Sequence, residues 1–197
     1  MSRTYPPLLL VSATVILMIL ASRSQILSNA GAQSADQPAP RDNEELIGLY
    51  RQDQADRGSG MATDWRTVQP RDQARRERVK DLYEHGRLHT GADFYNAAMI
   101  LQHGETPEDY LLAHEFCVVA VGKGEERARW LAAASEDRFL MAIGRAQRFG
   151  TQFRSEDDGV VRLYRVGSGV TDGLRRELDV PSLEEAKARE AQFNQEQ

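Results

Sequence analysis

Cysteine is nearly missing from this 197-residue chain: Cys117 stands alone, which excludes an internal disulfide and a cysteine-based zinc site. Histidine is also scarce. The four residues His85, His89, His103 and His114 are scattered singly, so a zinc site would require His103, His114 and Asp137 to converge. No metal or cofactor is expected. Several signatures are absent, namely a G-x-S-x-G elbow, a P-loop, an H-E-x-x-H helix and a dinucleotide glycine pattern. Long hydrophobic runs are missing apart from residues 8 to 21, which excludes a multi-span membrane protein. Basic excess is lacking as well: 25 Lys and Arg face 30 Asp and Glu, a net charge of -5. Residues 1 to 32 carry only Arg3 and Arg23, so their removal would leave -7. Such a balance argues against nucleic acid or anionic lipid as the main partner, because phosphate binding rests on a basic face.

What the chain does contain begins with an export signal. The run LLLVSATVILMILA at 8 to 21 follows Arg3 and precedes the triplet Ala30-Gly31-Ala32, the layout of a signal peptide cleaved after residue 32. An uncleaved signal anchor is the alternative, since the stretch between Ala21 and Ala32 is long and contains Arg23. Residues 33 to 40 read as a flexible spacer, and 41 to 197 as a single helical domain. The composition, 41% hydrophobic and 28% charged, suits a globular core.

Helical spacing dominates that domain. Leu46, Leu49 and Tyr50 predict a helix ending at Gly58-Ser59-Gly60, and residues 61 to 69 read as a loop anchored by Trp65. A second, charge-rich helix is expected from Pro70 to His85 with Val79, Leu82 and Tyr83 inward. A third spans about Ala92 to Gln102, where Phe94, Ala97, Ala98 and Leu101 repeat at i, i+3, i+4, i+7. Thr106-Pro107-Glu108-Asp109 opens a fourth whose inner stripe is Tyr110, Ala113, His114, Cys117 and Val121, and Gly122-Lys123-Gly124 stops it. A fifth runs from about Glu125 to Ile143, with Trp130, Ala133, Ala134, Asp137, Leu140 and Met141 along one side. The small residues on these faces suggest stacked antiparallel helical hairpins. After Gly150, residues 151 to 154 and 160 to 166 flank an Asp-Gly turn and read as a small hairpin that must pack on helices. A short helix near Asp172 to Leu178 and a last one capped by Ser182-x-x-Glu185 close the chain. The fold class is therefore mainly α, with a small C-terminal β-hairpin.

Asp137 is the most informative position, because a carboxylate on an otherwise apolar stripe needs a partner. His103 and His114 are the candidates. A contact with either would resemble a base and its orienting group, with a histidine held protonated. The competing expectation is a buried polar network that fixes helix register. Cys117 lies in an apolar stripe and reads as core. Gly167-Ser168-Gly169 reads as a plain loop or, alternatively, a backbone nest for an anion. The segment 144 to 152, with Gln147 and Arg148 between Gly144 and Gly150 and with Thr151 and Gln152 just after, reads either as a recognition loop or as one that satisfies its own backbone.

The order Gln102-His103-Gly104, Asp137-Arg138-Phe139-Leu140, then Gln147-x-Phe149-Gly150-Thr151-Gln152 resembles an uncharacterised bacterial family, domain of unknown function 6624. Gln52-Asp53-Gln54 with Arg57 upstream, and Thr171-Asp172, Arg175-Arg176 and Val180-Pro181-Ser182-Leu183 downstream, look like further family features, so the resemblance covers about residues 45 to 190. It implies no activity, but it nominates Gln102, His103, Asp137, Arg138, Gln147, Thr151 and Gln152 as one set. Three expectations follow for an exported protein, secreted or periplasmic. The first is a binding module whose Gln102, Arg138, Gln147, Thr151 and Gln152 recognise a small polar ligand or an envelope protein. The second is a hydrolase with His103 as general base, Asp137 orienting it and an activated water. In the third, the polar set is only scaffold. Membrane association is expected only through an uncleaved anchor.

Overall fold

A computed structural model describes residues 39–58, 64–155 and 159–195. The candidate signal segment, its cleavage site and most of the spacer lie outside the described residues. Seven helices and one two-stranded antiparallel sheet make up the described chain. In order they are α1 (Glu44–Arg57), α2 (Trp65–Glu84), α3 (Gly91–Leu101), α4 (Pro107–Gly122), α5 (Ala128–Ala142), β1 (Phe153–Ser155), β2 (Val161–Leu163), α6 (Asp172–Glu177) and α7 (Leu183–Phe193). Among them, no helix is long and apolar enough to cross a membrane.

Short polar side chains start every helix but α5, whose first turn has no side-chain cap. Asn43 caps α1, accepting from Leu46 N, and Thr106 caps α4 ahead of Pro107. Reciprocal capping boxes open α3 (Thr90 with Asp93) and α7 (Ser182 with Glu185). Small residues expected at close approaches sit there: Ala97, Ala98, Ala113, Ala120 and Ala132 are buried where α3, α4 and α5 pack in sequence, with Leu101, Phe116, Cys117 and Leu131 filling between them. α1 and α2 cover this layer through Leu46, Val79 and Leu82. The Cys117 thiol is buried and its pKa is pushed up to about 12, so the thiol is a core apolar group.

Local boundaries differ from expectation in three places. α2 begins at Trp65, five residues early, because Asp64 caps it by accepting from Arg66 N and Thr67 Oγ1, and Pro70 is accommodated in the second turn. Trp65 is consequently exposed (57%) instead of anchoring a loop. Tyr83 and Val121, expected inward, are also exposed; Tyr83 lies edge-on against Phe116 with ring centroids 4.9 Å apart. The hairpin is shorter, pairing Phe153 with Leu163, Arg154 with Arg162 and Ser155 with Val161. As so short a ribbon requires, it docks on a helix: Leu163 N donates to Glu190, Val161 N donates to Asn194, and Phe153 meets Phe193 edge to face at 5.2 Å.

Candidate functional site

The inner face of α2 explains the most unusual feature of the core. Val68, Asp72, Arg75, Val79 and Leu82 follow the 4-3-4-3 spacing of one helical stripe, and all are buried. Two charged residues thus lie on the face that packs inward, with Arg76 beside them. α1 does the same, since Leu46 and Asp53 are its two buried residues and Arg57 follows one turn on. The apposed stripes answer each other. Arg57 donates Nη1 to Asp53 Oδ1 at 2.8 Å and Nη2 to Asp72 Oδ2 at 2.7 Å. Arg75 bridges Asp72 and Asp56 from the other side, the latter at 2.8 Å. Burial by itself would raise the Asp72 carboxyl, but the hydrogen bonds from Arg57 and Arg75 override it and hold the carboxyl below its ordinary value.

This network floors a cleft of about 390 Å³ bounded by Trp65 and Gln69 on α2, Gln102, His103 and Glu105 in the turn after α3, and Arg138 on α5. The turn is pinned from two directions. Arg76 donates to the His103 carbonyl at 3.1 Å, and the Tyr110 hydroxyl donates to the Gly104 carbonyl at 2.6 Å. Gly104 is required by space: a Cβ there would lie 2.4 Å from Asp109 Cβ. Gly104→Ala is expected to destabilise the protein by about 1–3 kcal/mol in urea unfolding, the range for overpacking, because α4 must shift from the turn.

His103 Nε2 faces Asp53 Oδ2 across 3.7 Å, beyond hydrogen-bond length, and has no other partner. Burial depresses the His103 pKa, aided by the positive charges of Arg57 and Arg138, to about 3. Burial likewise raises Asp53, against the pull of Arg57, from 3.8 to about 6. Near neutral pH the pair is therefore a carboxylate beside a neutral imidazole. Arg138 is half-buried; burial lowers its pKa, against the opposing influence of Tyr110. Among the described residues no carboxylate lies within ion-pair distance of Arg138, and its buried Nε has no hydrogen-bond partner.

The predicted site residues separate into two groups. Gln102, His103 and Arg138 line the cleft, where Arg57, read from sequence only as a feature of the resemblance, joins them; Asp53, another such feature, is fully buried and faces His103. Gln102 is buried and its amide reaches Met99 Sδ. The other group forms a clamp on the 147–152 loop. Asp137 is not the partner of His103 or His114: its two oxygens accept from Arg148 N (2.6 Å), Phe149 N (3.0 Å), Thr151 N (3.0 Å) and Thr151 Oγ1 (2.8 Å). Gln147 is fully buried, donating to the Gln152 and Tyr164 carbonyls and accepting from Gln152 N; Gln152 reaches Thr151 Oγ1. Backbone satisfaction, not an imidazole, is what the buried carboxylate and amide supply here. His103 is correspondingly neutral, where an Asp137 contact was expected to hold it protonated. His114 Nδ1 lies within hydrogen-bond distance of the Ala132 carbonyl, 2.9 Å away. Among the described residues no group of three or more His, Cys, Asp or Glu side chains is placed to hold a metal ion. Gly167-Ser168-Gly169 borders a separate and larger depression of about 760 Å³ with Arg145, Arg148 and Arg165, of which Arg148 pairs with Glu136 and Arg165 with the Gly144 carbonyl.

Sequence reasoning passes over Asp53, Asp72 and Arg75 as site residues. The signal is their spacing on the same stripes as Leu46, Val68, Val79 and Leu82. The chain matches no family model, no curated protein and no solved structure.

Proposed function

We propose that this is an exported binding module, secreted or periplasmic, whose cleft takes a small polar ligand by an anionic group. Retention at the membrane by residues 8 to 21 is the alternative localisation, and nucleic acid is not the partner of a chain this acidic. Membership in the domain of unknown function 6624 family is part of the proposal; the cleft gathers Gln102, His103, Arg138 and Arg57, with Asp53 buried facing His103, and these are among the residues that carry that resemblance.

One observation carries the reading: Arg138 is a half-buried guanidinium with a buried, unpartnered Nε at the edge of a cleft. A cation withdrawn from water without a counter-charge costs free energy in the empty protein. An oxyanion, taken by the planar guanidinium fork, would relieve that cost. Binding and stability then move in opposite directions. Arg138→Gln is expected to unfold at the same or higher urea concentration than the unmodified protein while losing about tenfold or more in affinity for sulfate or glucuronate by isothermal titration calorimetry. If the variant binds as tightly as the unmodified protein, or if the unmodified protein binds neither probe, the proposal fails.

The hydrolase alternative is favoured by a different observation, the buried Asp53 carboxylate facing the cleft-lining His103. In that reading Asp53 takes the orienting role expected of Asp137, and an activated water serves as nucleophile. It requires turnover of an anionic ester, abolished in Asp53→Asn.

A further inference from the structure

Among the described residues, most charges around the cleft are paired with an opposite charge, the exceptions on its lining being Glu105 and Arg138. From α1, Arg57 pairs with Asp53 and Asp72, and Asp56 with Arg71 and Arg75. From α2, Arg76 holds the His103 carbonyl and leans on Asp109, which Lys80 also pairs. From the turn after α3, Glu105 accepts from Gln69, and from α4 the Tyr110 hydroxyl donates to the Gly104 carbonyl. Among the described residues, Arg138 on α5 is the cleft-lining cation without an ion pair, and His103 Nε2, also without a hydrogen-bond partner, stands 3.7 Å from Asp53 Oδ2.

We propose that the cleft takes up an oxyanion together with one proton, the anion on Arg138 and the proton between His103 and Asp53. This rests on the reading of the cleft as an anion site and states how that site is regulated. The bound anion cancels the positive charge of Arg138, one of the influences that keep a proton off His103. It also adds a negative charge to a low-dielectric space that already holds Asp53. Both changes favour a proton between imidazole and carboxylate, where it closes the gap as a charge-assisted hydrogen bond. The proton comes from solvent, and no covalent bond to the anion is formed or broken. Because linkage is reciprocal, acid tightens anion binding and rising pH releases the anion. The free pair has room for the proton at neutral pH, with Asp53 losing its own near pH 6.

Sulfate is a suitable probe because it holds no proton itself in this range. Calorimetric titration of the full chain with sulfate, near pH 7 in two buffers of different ionisation enthalpy, is expected to show uptake of close to one proton per anion. The sulfate affinity is expected to fall by up to about tenfold per pH unit above pH 6, the limit for one linked proton. Asp53→Asn, with Asp53→Ala as a second variant should the first misfold, is expected to remove the buffer dependence while sulfate still binds. Saturable binding with no buffer dependence and a flat pH profile overturns the proton linkage and leaves the anion site standing. No saturable binding at any pH overturns both.

Discussion

Asp137→Asn is expected to destabilise the protein by about 3–5 kcal/mol, the range for breaking a buried, fully engaged charged group. The carboxylate is fully buried and accepts from three backbone N–H groups and the Thr151 hydroxyl. An asparagine keeps one acceptor oxygen but turns its NH2 toward donors that then have nothing to donate to, and each orphaned amide adds about 1–3 kcal/mol. The loss spreads through the loop. Arg175 donates to the Arg148 and Phe149 carbonyls, and Phe149 packs on Ala133 and Val180, so the clamp also secures α6 and the chain leading to α7. A melting temperature lower by about 10 °C corresponds to the middle of that range for a domain of this size. A loss below about 1 kcal/mol in urea unfolding would show that the loop holds without the clamp.

The second large effect is a pair of opposite pH slopes. Asp53 has a folded pKa raised to about 6, so it contributes stability that is complete below its ordinary 3.8 and is lost as pH rises through 6. His103 has a folded pKa depressed to about 3, so its contribution is complete above its ordinary 6.5 and is lost as pH falls through 3. Between about pH 4 and 6 the unfolded pair holds one proton on the imidazole, and the folded pair holds one on the carboxyl. The counts match, and the intact pair gives almost no slope there. Each single variant uncovers the other group. His103→Gln is expected to lose about 2 kcal/mol of stability as pH rises from 4 to 6, because one proton bound by the folded chain alone is worth about 1.4 kcal/mol over each pH interval of one and Asp53 is only partly titrated at the two ends. Asp53→Asn is expected to gain a similar amount or more over the same interval. Urea unfolding of both variants across the range checks this, and parallel slopes would refute the assignment of a buried neutral pair.

The periodic and capping parts of the fold are legible in the sequence. Thr106-Pro107, the Ser182–Glu185 box and the alanine faces of α3 to α5 lie where local rules place them, because small apolar residues and short polar caps answer to neighbours within a few positions. Asp137 is legible as a buried carboxylate in need of a partner, but the identity of that partner is not. Backbone amides satisfy a carboxylate as well as an imidazole does, and they leave no residue-type signature. The bend that presents them depends on Gly150 at φ +82°, a conformation few other residues adopt. The α2 stripe misleads for the opposite reason. Asp72 and Arg75 occupy core-facing positions yet belong to residue types normally found in water, so a charge-rich helix reads as solvated. Their burial depends on counter-charges from α1, a long-range pairing that spacing suggests only when two stripes are compared.

Nuclear magnetic resonance of the arginine Nε–H and histidine ring resonances during a sulfate titration bears most directly on the cleft. The expected result is a single saturable shift shared by Arg138 and His103, with Arg57 and Arg75 nearly still because their carboxylate partners already hold them. Saturable shifts confined to Arg145, Arg148 and Arg165 around the separate depression, or none at all, would contradict the account.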